Sequence, residues 1–304
     1  FLVNGGSGMS GDIMDSLMDY IRILFHVDLV KMSTMIREAK KYEQQLRIMY
    51  DTIRYLDTML STASCRIMYG EYCVPQLSHQ ANGKFAVTEM YHPLIPEGVR
   101  NSITAERSVL LTGSNASGKS TFIKTVALNA ILAQTLHTVL AENYQASWFC
   151  IASSMALRDD ILSQESYYIV EIRSLKRILD LTRSSELPVL CFIDEVLRGT
   201  NTVERIAASS RILQAIAEQG GLCFAATHDI ELTYLLEKEY DNYHFEEQVE
   251  DDKVTFDYCL REGRACTRNA IRLLKMLGYD EKIVDDANER VALFLKSGNW
   301  VSSH

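Results

Sequence analysis

GSNASGKSTF, residues 113–122, fits the pattern G-x-x-x-x-G-K-[ST]. Glycines at these places let the backbone fold into a concave nest whose N–H groups point at phosphate oxygens. A lysine in this position reaches the outer phosphates, and the hydroxyl that follows it ligates Mg²⁺. We therefore predict a phosphate-binding loop. Its nucleotide-contacting residues are Gly113, Ser114, Asn115, Ala116, Ser117, Gly118, Lys119, Ser120 and Thr121, with Ser120 also a metal ligand.

The segments on either side of this loop have the pattern that such a loop requires. Residues 108–112 form a short apolar run typical of a buried strand, and residues 121–134 contain no Gly or Pro and favour a helix. The helix N-terminus would add a partial positive charge beneath the phosphates. The alternative, a glycine-rich turn that binds nothing, does not explain this strand–loop–helix order.

Two acids follow a second apolar run, residues 188–193. Asp194 is predicted to hold Mg²⁺, and Glu195 to orient the attacking water. Ligands of open α/β sheets lie at the carboxyl ends of strands, which is where both acids fall. The alternative is a strand that simply ends in a charged turn.

A third run, residues 222–226, ends in Thr227-His228-Asp229. His228 is predicted to sense the terminal phosphate or steer the water, although a lone histidine is often structural. Residues 198–202, Arg-Gly-Thr-Asn-Thr, follow the acidic pair directly and are predicted to face a second subunit.

Composition restricts the function. The chain has 304 residues, of which 47% are hydrophobic and 23% charged, and a net charge of −9 that disfavours strong nucleic-acid binding by this segment alone. Seven scattered cysteines without a C-x-x-C pair indicate a reducing compartment. No stretch reaches the roughly 18–20 apolar residues of a membrane span. We expect a cytoplasmic protein that continues upstream of Phe1, where a membrane anchor stays open as an alternative.

The fold class predicted is α/β. A P-loop NTPase domain with a mainly parallel sheet is preceded by an all-α lever region and closed by a C-terminal helical pair. The predicted domains are residues 1–80, 81–267 and 268–304. Helix is expected over residues 12–69 and a linker over 78–84. Strands are expected near 85–87, 109–111, 148–151, 189–193 and 222–226, an antiparallel pair at 240–245 and 254–259, and final helices at 268–277 and 281–295, separated by Gly278.

These segments together resemble the MutS mismatch-repair ATPases, a branch of the ABC-type ATPases. The likeness covers about residues 89–295 and includes Tyr91-His92-Pro93, where the family has a similar His-Pro. It also includes Asp194-Glu195-Val-Leu-Arg198-Gly-Thr-Asn-Thr202, which is similar to the family's D-E-x-x-R-G-T-x-T. On this resemblance His92 is a nucleotide-contacting residue.

The resemblance implies a head-to-tail homodimer that binds ATP and Mg²⁺ at composite sites. Each site would take its phosphate loop from one subunit and a signature serine from the partner. Residues 160–171 align with that signature, so Ser166 would act in catalysis together with Glu195 and His228. The sequence departs from the family at Gln164 and Glu165, where a small, basic run is usual, and at Ser114 and Ala116, where Pro and Met are usual.

The expected function is ATP hydrolysis coupled to DNA in mismatch repair or a related repair or recombination process. DNA would be bound through regions missing from this chain, since no Phe-x-Glu mismatch reader is evident; Phe245-Glu246-Glu247 has the letters but lies on a predicted strand. Three alternatives stay open: a membrane-linked or non-mismatch MutS-like motor, an ABC transporter ATPase subunit, and a nucleotide clamp without turnover.

Overall fold

The structure is a computed structural model. The chain consists of two compact units, Phe1–Ile67 and Met68–His304. The residues that it describes are 20–79, 83–95, 97–114, 117–155, 167–197, 201–250, 253–265, 271, 274 and 278–297.

The first unit is helical. Helix α1 spans Val27–Lys41 and α2 spans Glu43–Tyr69, which continues two residues past the unit boundary; residues 20–24 are also helical. Asp28 lies in the first turn of α1 and two lysines lie in its last turn, which complements the helix dipole. The helical prediction for residues 12–69 is confirmed over these described ranges, with breaks at 25–26 and 42.

The second unit combines twelve strands and five helices among the described residues. Its strands are β1 (Gln76–Ser78), β2 (Phe85–Met90), β3 (Asn101–Ala105), β4 (Ser108–Thr112), β5 (Asn143–Ser147), β6 (Cys150–Ser154), β7 (Val189–Asp194), β8 (Leu222–Ala226), β9 (Tyr240–His244), β10 (Glu247–Glu250), β11 (Lys253–Phe256) and β12 (Arg261–Glu262). Its helices are α3 (Lys119–Leu136), α4 (Tyr167–Ser184), α5 (Thr202–Glu218), α6 (Glu231–Leu235) and α7 (Glu281–Ser297).

The largest sheet has the order β12-β9-β4-β8-β7-β6. Its strands pair in parallel from β9 to β6, and only the edge strand β12 runs antiparallel. A second sheet, β1-β5-β2-β3, pairs β1 with β5 in parallel and its other neighbours antiparallel, and β10 with β11 forms an antiparallel hairpin. The mixed α/β class is confirmed, and the sheets are mixed.

The core lies on both faces of the large sheet, which explains why β4 and β8 are buried along their whole length. Neighbouring residues of one strand point to opposite faces. Leu111 therefore belongs to the apolar cluster that includes Phe122 and Ile123 of α3, whereas Leu110 belongs to the cluster that includes Leu213 of α5. The two helices thus cover opposite faces of the sheet.

Five predicted elements are confirmed in position: the strands at residues 85–87, 109–111, 189–193 and 222–226, and the helix at 121–134. The last helix is also confirmed as α7. Its predicted partner at 268–277 lies largely outside the described residues, with 271 and 274 helical, and Gly278 has the positive φ of +79° expected at a helix stop. Residues 80–82 of the predicted linker lie outside the described part.

The strand predicted near 148–151 is present with a later start. Strand β5 ends at Ser147 and β6 begins at Cys150, so Trp148 and Phe149 lie in a break between them. The side chain of Gln134 explains this break, because it accepts a hydrogen bond from Phe149 N at 2.6 Å and donates one to Phe149 O at 3.2 Å. The backbone groups of Phe149 are satisfied by α3 and not by a ladder.

The strands predicted at 240–245 and 254–259 are present as β9 and β11, but the antiparallel pairing predicted between them was wrong. Strand β9 instead runs parallel to β4, with Tyr243 opposite Leu111, while β11 pairs with the acidic strand β10. Residues 257–259 leave the ladder, and the Asn101 side chain binds Tyr258 O at 3.0 Å and Leu260 N at 2.7 Å. A contact 157 residues away in sequence therefore decides this turn.

Candidate functional site

A cavity of about 510 Å³ lies over the loop between β4 and α3. Its volume is in the range of small-molecule sites. Among its lining residues are nine that the sequence predicted: His92, Ser114, Ser117, Gly118, Lys119, Ser120, Thr121, Glu195 and His228. The fold therefore brings these nine residues, which come from four separate segments, to one cavity.

Two glycines of the loop hold conformations that side chains disfavour. Gly113 has φ +145° and Gly118 has φ +106°. A Cβ on Gly113 would lie 2.8 Å from Phe245 O and 3.0 Å from Ser117 Oγ, and one on Gly118 would lie 3.1 Å from the Tyr258 ring. Both glycines are therefore required by φ and by space. Asn115 and Ala116, between them, lie outside the described residues.

Lys119 is folded back onto the loop. Its side chain donates to the carbonyls of Gly113 and Ser114, both at 2.7 Å, and the residue is 5% exposed. Burial lowers the pKa of Lys119 to about 8, although the charges of Asp194 and Glu195 oppose that shift. The ammonium group is thus desolvated and held by neutral acceptors beside two carboxylates.

Two buried oxygens of the site have no hydrogen-bond partner among the described residues: Ser117 Oγ and Asp194 Oδ1. Asp194 is the last residue of β7, and Ser117 is 1% exposed. Unpaired buried polar groups cost free energy, so native structures rarely keep them without an unseen partner such as an ion or ligand. A carboxylate oxygen suits a hard cation such as Mg²⁺, and a hydroxyl suits a phosphate oxygen, so both groups fit a bound Mg²⁺–nucleotide.

Glu195 and His228 meet across neighbouring strands. Asp194 pairs in register with Ala226, so the residues after β7 and β8 leave the sheet side by side. Glu195 adopts φ +56° and donates its N–H to Ala226 O at 3.0 Å. Its carboxylate lies 3.0 Å from His228 Nε2. Both side chains line the cavity, as their positions after the strands predicted.

His92 lines the cavity from the segment after β2. Its Nδ1 accepts a hydrogen bond from Leu94 N at 3.1 Å. Burial, and secondarily the charge of Lys124, lowers the pKa of His92. The ring therefore favours its neutral form.

Two further predictions concern Ser166 and residues 198–202. Ser166 and residues 198–200 lie outside the described part of the chain. Asn201, the next residue, caps α5 by accepting a hydrogen bond from Val203 N at 3.0 Å.

An apolar wall of the cavity was missed by the sequence reasoning. Ile95, Val99 and Tyr258 line it, and each is 40–44% exposed. Tyr258 adopts φ +53° while Asn101 binds its carbonyl. The sequence could not show that these side chains meet, because Tyr258 lies more than 150 residues from Ile95 and Val99.

None of the helices in the described ranges has the length and apolarity needed to cross a membrane.

The family model described as MutS domain V matches residues 109–294, which include the predicted phosphate loop, both acids and His228. This chain belongs to the MutS family. The recognition made from its motifs is thereby confirmed.

Similar proteins carry the same family name. The DNA mismatch repair protein MutS of Natronomonas pharaonis is 31% identical over 242 residues, which cover 77% of this chain and 28% of that protein. The MutS proteins of Pseudothermotoga lettingae and Thermus thermophilus are 32% and 28% identical, over 77% and 82% of this chain and 30% of each relative. The MutS-family chain described here thus spans less than a third of the length of these relatives.

Proposed function

We propose that this MutS-family chain binds ATP with Mg²⁺ in the cavity over residues 113–121 and hydrolyses it to ADP and phosphate. The single observation that carries the proposal is the state of Lys119. A buried ammonium group, held by two loop carbonyls beside Asp194 and Glu195, lies in a glycine nest that opens on a cavity of about 510 Å³. This ammonium group would make stronger, charge-assisted hydrogen bonds if phosphate oxygens replaced the two carbonyls.

Each polar residue has a role in this proposal. The loop N–H groups and Lys119 bind the β- and γ-phosphates. Ser120 and Asp194 hold Mg²⁺, which supplies charge neutralisation at the phosphates when bound. Glu195 orients and deprotonates the attacking water, and His228, 3.0 Å from its carboxylate, steers it.

The apolar wall is proposed to bind the base. Ile95, Val99 and the Tyr258 ring present exposed apolar surface in the same cavity as the phosphate loop. A flat ring gains stacking energy on an aromatic face and does not need hydrogen bonds for it. The adenine would thus lie near Tyr258 and His92, with the phosphates directed at Gly118.

The proposed site is completed by a second copy of the chain, whose Ser166 contacts the terminal phosphate. A mixing assay tests this composite arrangement. Lys119→Met inactivates the phosphate loop and Ser166→Ala the signature, so each variant alone should be inactive. Mixed heterodimers would hold one site with both parts intact, and phosphate release should reappear.

A mixture that stays as inactive as its components would contradict the composite site. Activity of Ser166→Ala alone at the wild-type rate would contradict the role of Ser166. Wild-type protein at the same total concentration is the reference.

We also propose that the ATP state is coupled to DNA in mismatch repair or a related repair process, because the similar proteins named above are DNA mismatch repair proteins. DNA contacts are assigned to regions outside this chain, in keeping with its net charge of −9. ATP-dependent DNA binding by the full-length protein, with and without a mismatched pair, tests this assignment.

A further inference from the structure

Asp229, the residue after His228, forms an ion pair with Arg205. Two guanidinium nitrogens of Arg205 donate to its carboxylate: Nε lies 2.8 Å from Oδ2 and an Nη 2.6 Å from Oδ1. The two side chains are 22% and 12% exposed. This two-bond geometry, largely shielded from water, distinguishes the pair from exposed ion pairs of the same chain, such as Arg211–Glu218 at 63% and 45%.

The pair fixes one side of His228. On the other side Thr227 is buried and its N–H donates to Leu111 O of β4 at 3.0 Å. Asp229 N binds Thr227 Oγ1 at 3.0 Å, which makes a tight local turn. Between these two anchored residues the His228 ring, 38% exposed, reaches Glu195.

Arg205 belongs to the start of α5. Its N–H donates to Asn201 O at 2.8 Å, and Asn201 caps the helix. Asn201 and Thr202 end the segment predicted to face a second subunit. One side chain therefore joins the beginning of α5, next to that segment, to the turn that carries His228.

We propose that Arg205, through Asp229, is a positioning residue that holds His228 against Glu195 for hydrolysis. This inference rests on the proposed ATPase function. Neither residue lines the cavity, so neither is assigned a contact with ATP. Displacement of a reacting group by about 1 Å can cost up to ~100-fold in rate, so a loosened turn should lower turnover and leave ATP affinity unchanged.

The test compares kcat and KM for ATP in wild type, Arg205→Met, Arg205→Lys and the matched control Arg211→Met on the same helix. We expect kcat to fall by about tenfold or more in both Arg205 variants, because lysine keeps the charge but lacks the two-bond fork. KM should stay within about twofold, and Arg211→Met should equal wild type.

A fourth variant separates positioning from folding. Arg205→Met leaves a shielded carboxylate without its partner, which could lower stability. The double variant Arg205→Met/Asp229→Asn removes that charge as well, and its thermal midpoint should recover towards wild type. Its kcat should stay low, since the connection to α5 is still missing.

The outcomes are separable. If wild type hydrolyses ATP and Arg205→Met has the same kcat, the positioning role is overturned. The same holds if the double variant regains the wild-type kcat. In both cases the ATPase proposal stands. Wild-type protein that binds ATP without turnover overturns the proposed function, and the positioning role with it.

Discussion

At the residue scale, the burial of the Lys119 ammonium group favours the binding of an anionic ligand. This ammonium group is buried, and its acceptors among the described residues are two loop carbonyls, those of Gly113 and Ser114. Burial moves its pKa from 10.5 to about 8, so a proton is partly lost in the range where enzymes are assayed. A polyphosphate would restore the charged form.

This predicts a pH-dependent affinity. The pKa of Lys119 in the protein without nucleotide is about 8, and a bound polyphosphate should raise it. Nucleotide should therefore bind most tightly below about pH 8, and its affinity should fall as the pH rises above that value. The Kd for ADP should increase by about tenfold between pH 7 and pH 9. Isothermal titration at both pH values measures it.

Lys119→Arg is the matched control for that titration, because a guanidinium stays charged throughout the range. Its ADP affinity, whatever its absolute value, should change little between the two pH values. An equally steep pH dependence in this variant would assign the titration to another group.

At the scale of elements, the loop between β4 and α3 depends on glycine for its backbone path. Gly113→Ala should destabilise the protein by about 1–3 kcal/mol, because φ is +145° and the new Cβ meets Phe245 O at 2.8 Å. Displacement of the loop should also lower nucleotide affinity. Urea unfolding and nucleotide titration measure the two effects.

Gly220→Ala provides the comparison for this substitution. Gly220 also has a positive φ, +79°, but an added Cβ finds nothing within 4 Å. Its cost should be about 1 kcal/mol, from backbone strain alone, with nucleotide affinity unchanged. Equal losses in the two variants would contradict the steric argument for Gly113.

Elements with local signals were predictable. Strands β4, β7 and β8 are mostly apolar runs, and the residues after them were predicted to form a site. Lys119, Glu195 and His228 all line one cavity. Pairing set by distant contacts was not predictable. The register of β9 against β4 and the turn at Tyr258 depend on residues far away in sequence, such as Leu111 and Asn101.

At the scale of the whole molecule, the chain is acidic, belongs to the MutS family and spans less than a third of the length of the relatives named above. Its central feature is the cavity lined by residues of the loop between β4 and α3, by Glu195 and by His228. The proposal that this cavity turns over ATP separates two properties: binding depends on the loop, whereas hydrolysis depends on Glu195.

ATP binding and phosphate release measured on the same preparations of wild type and Glu195→Gln test that separation most directly. The substitution keeps the size of the side chain and its backbone contact with Ala226. We expect ATP affinity within about threefold of wild type and phosphate release reduced by about 100-fold or more, since the general base is lost. Phosphate release by Glu195→Gln at the wild-type rate, or its absence from wild type that binds ATP, would contradict the account.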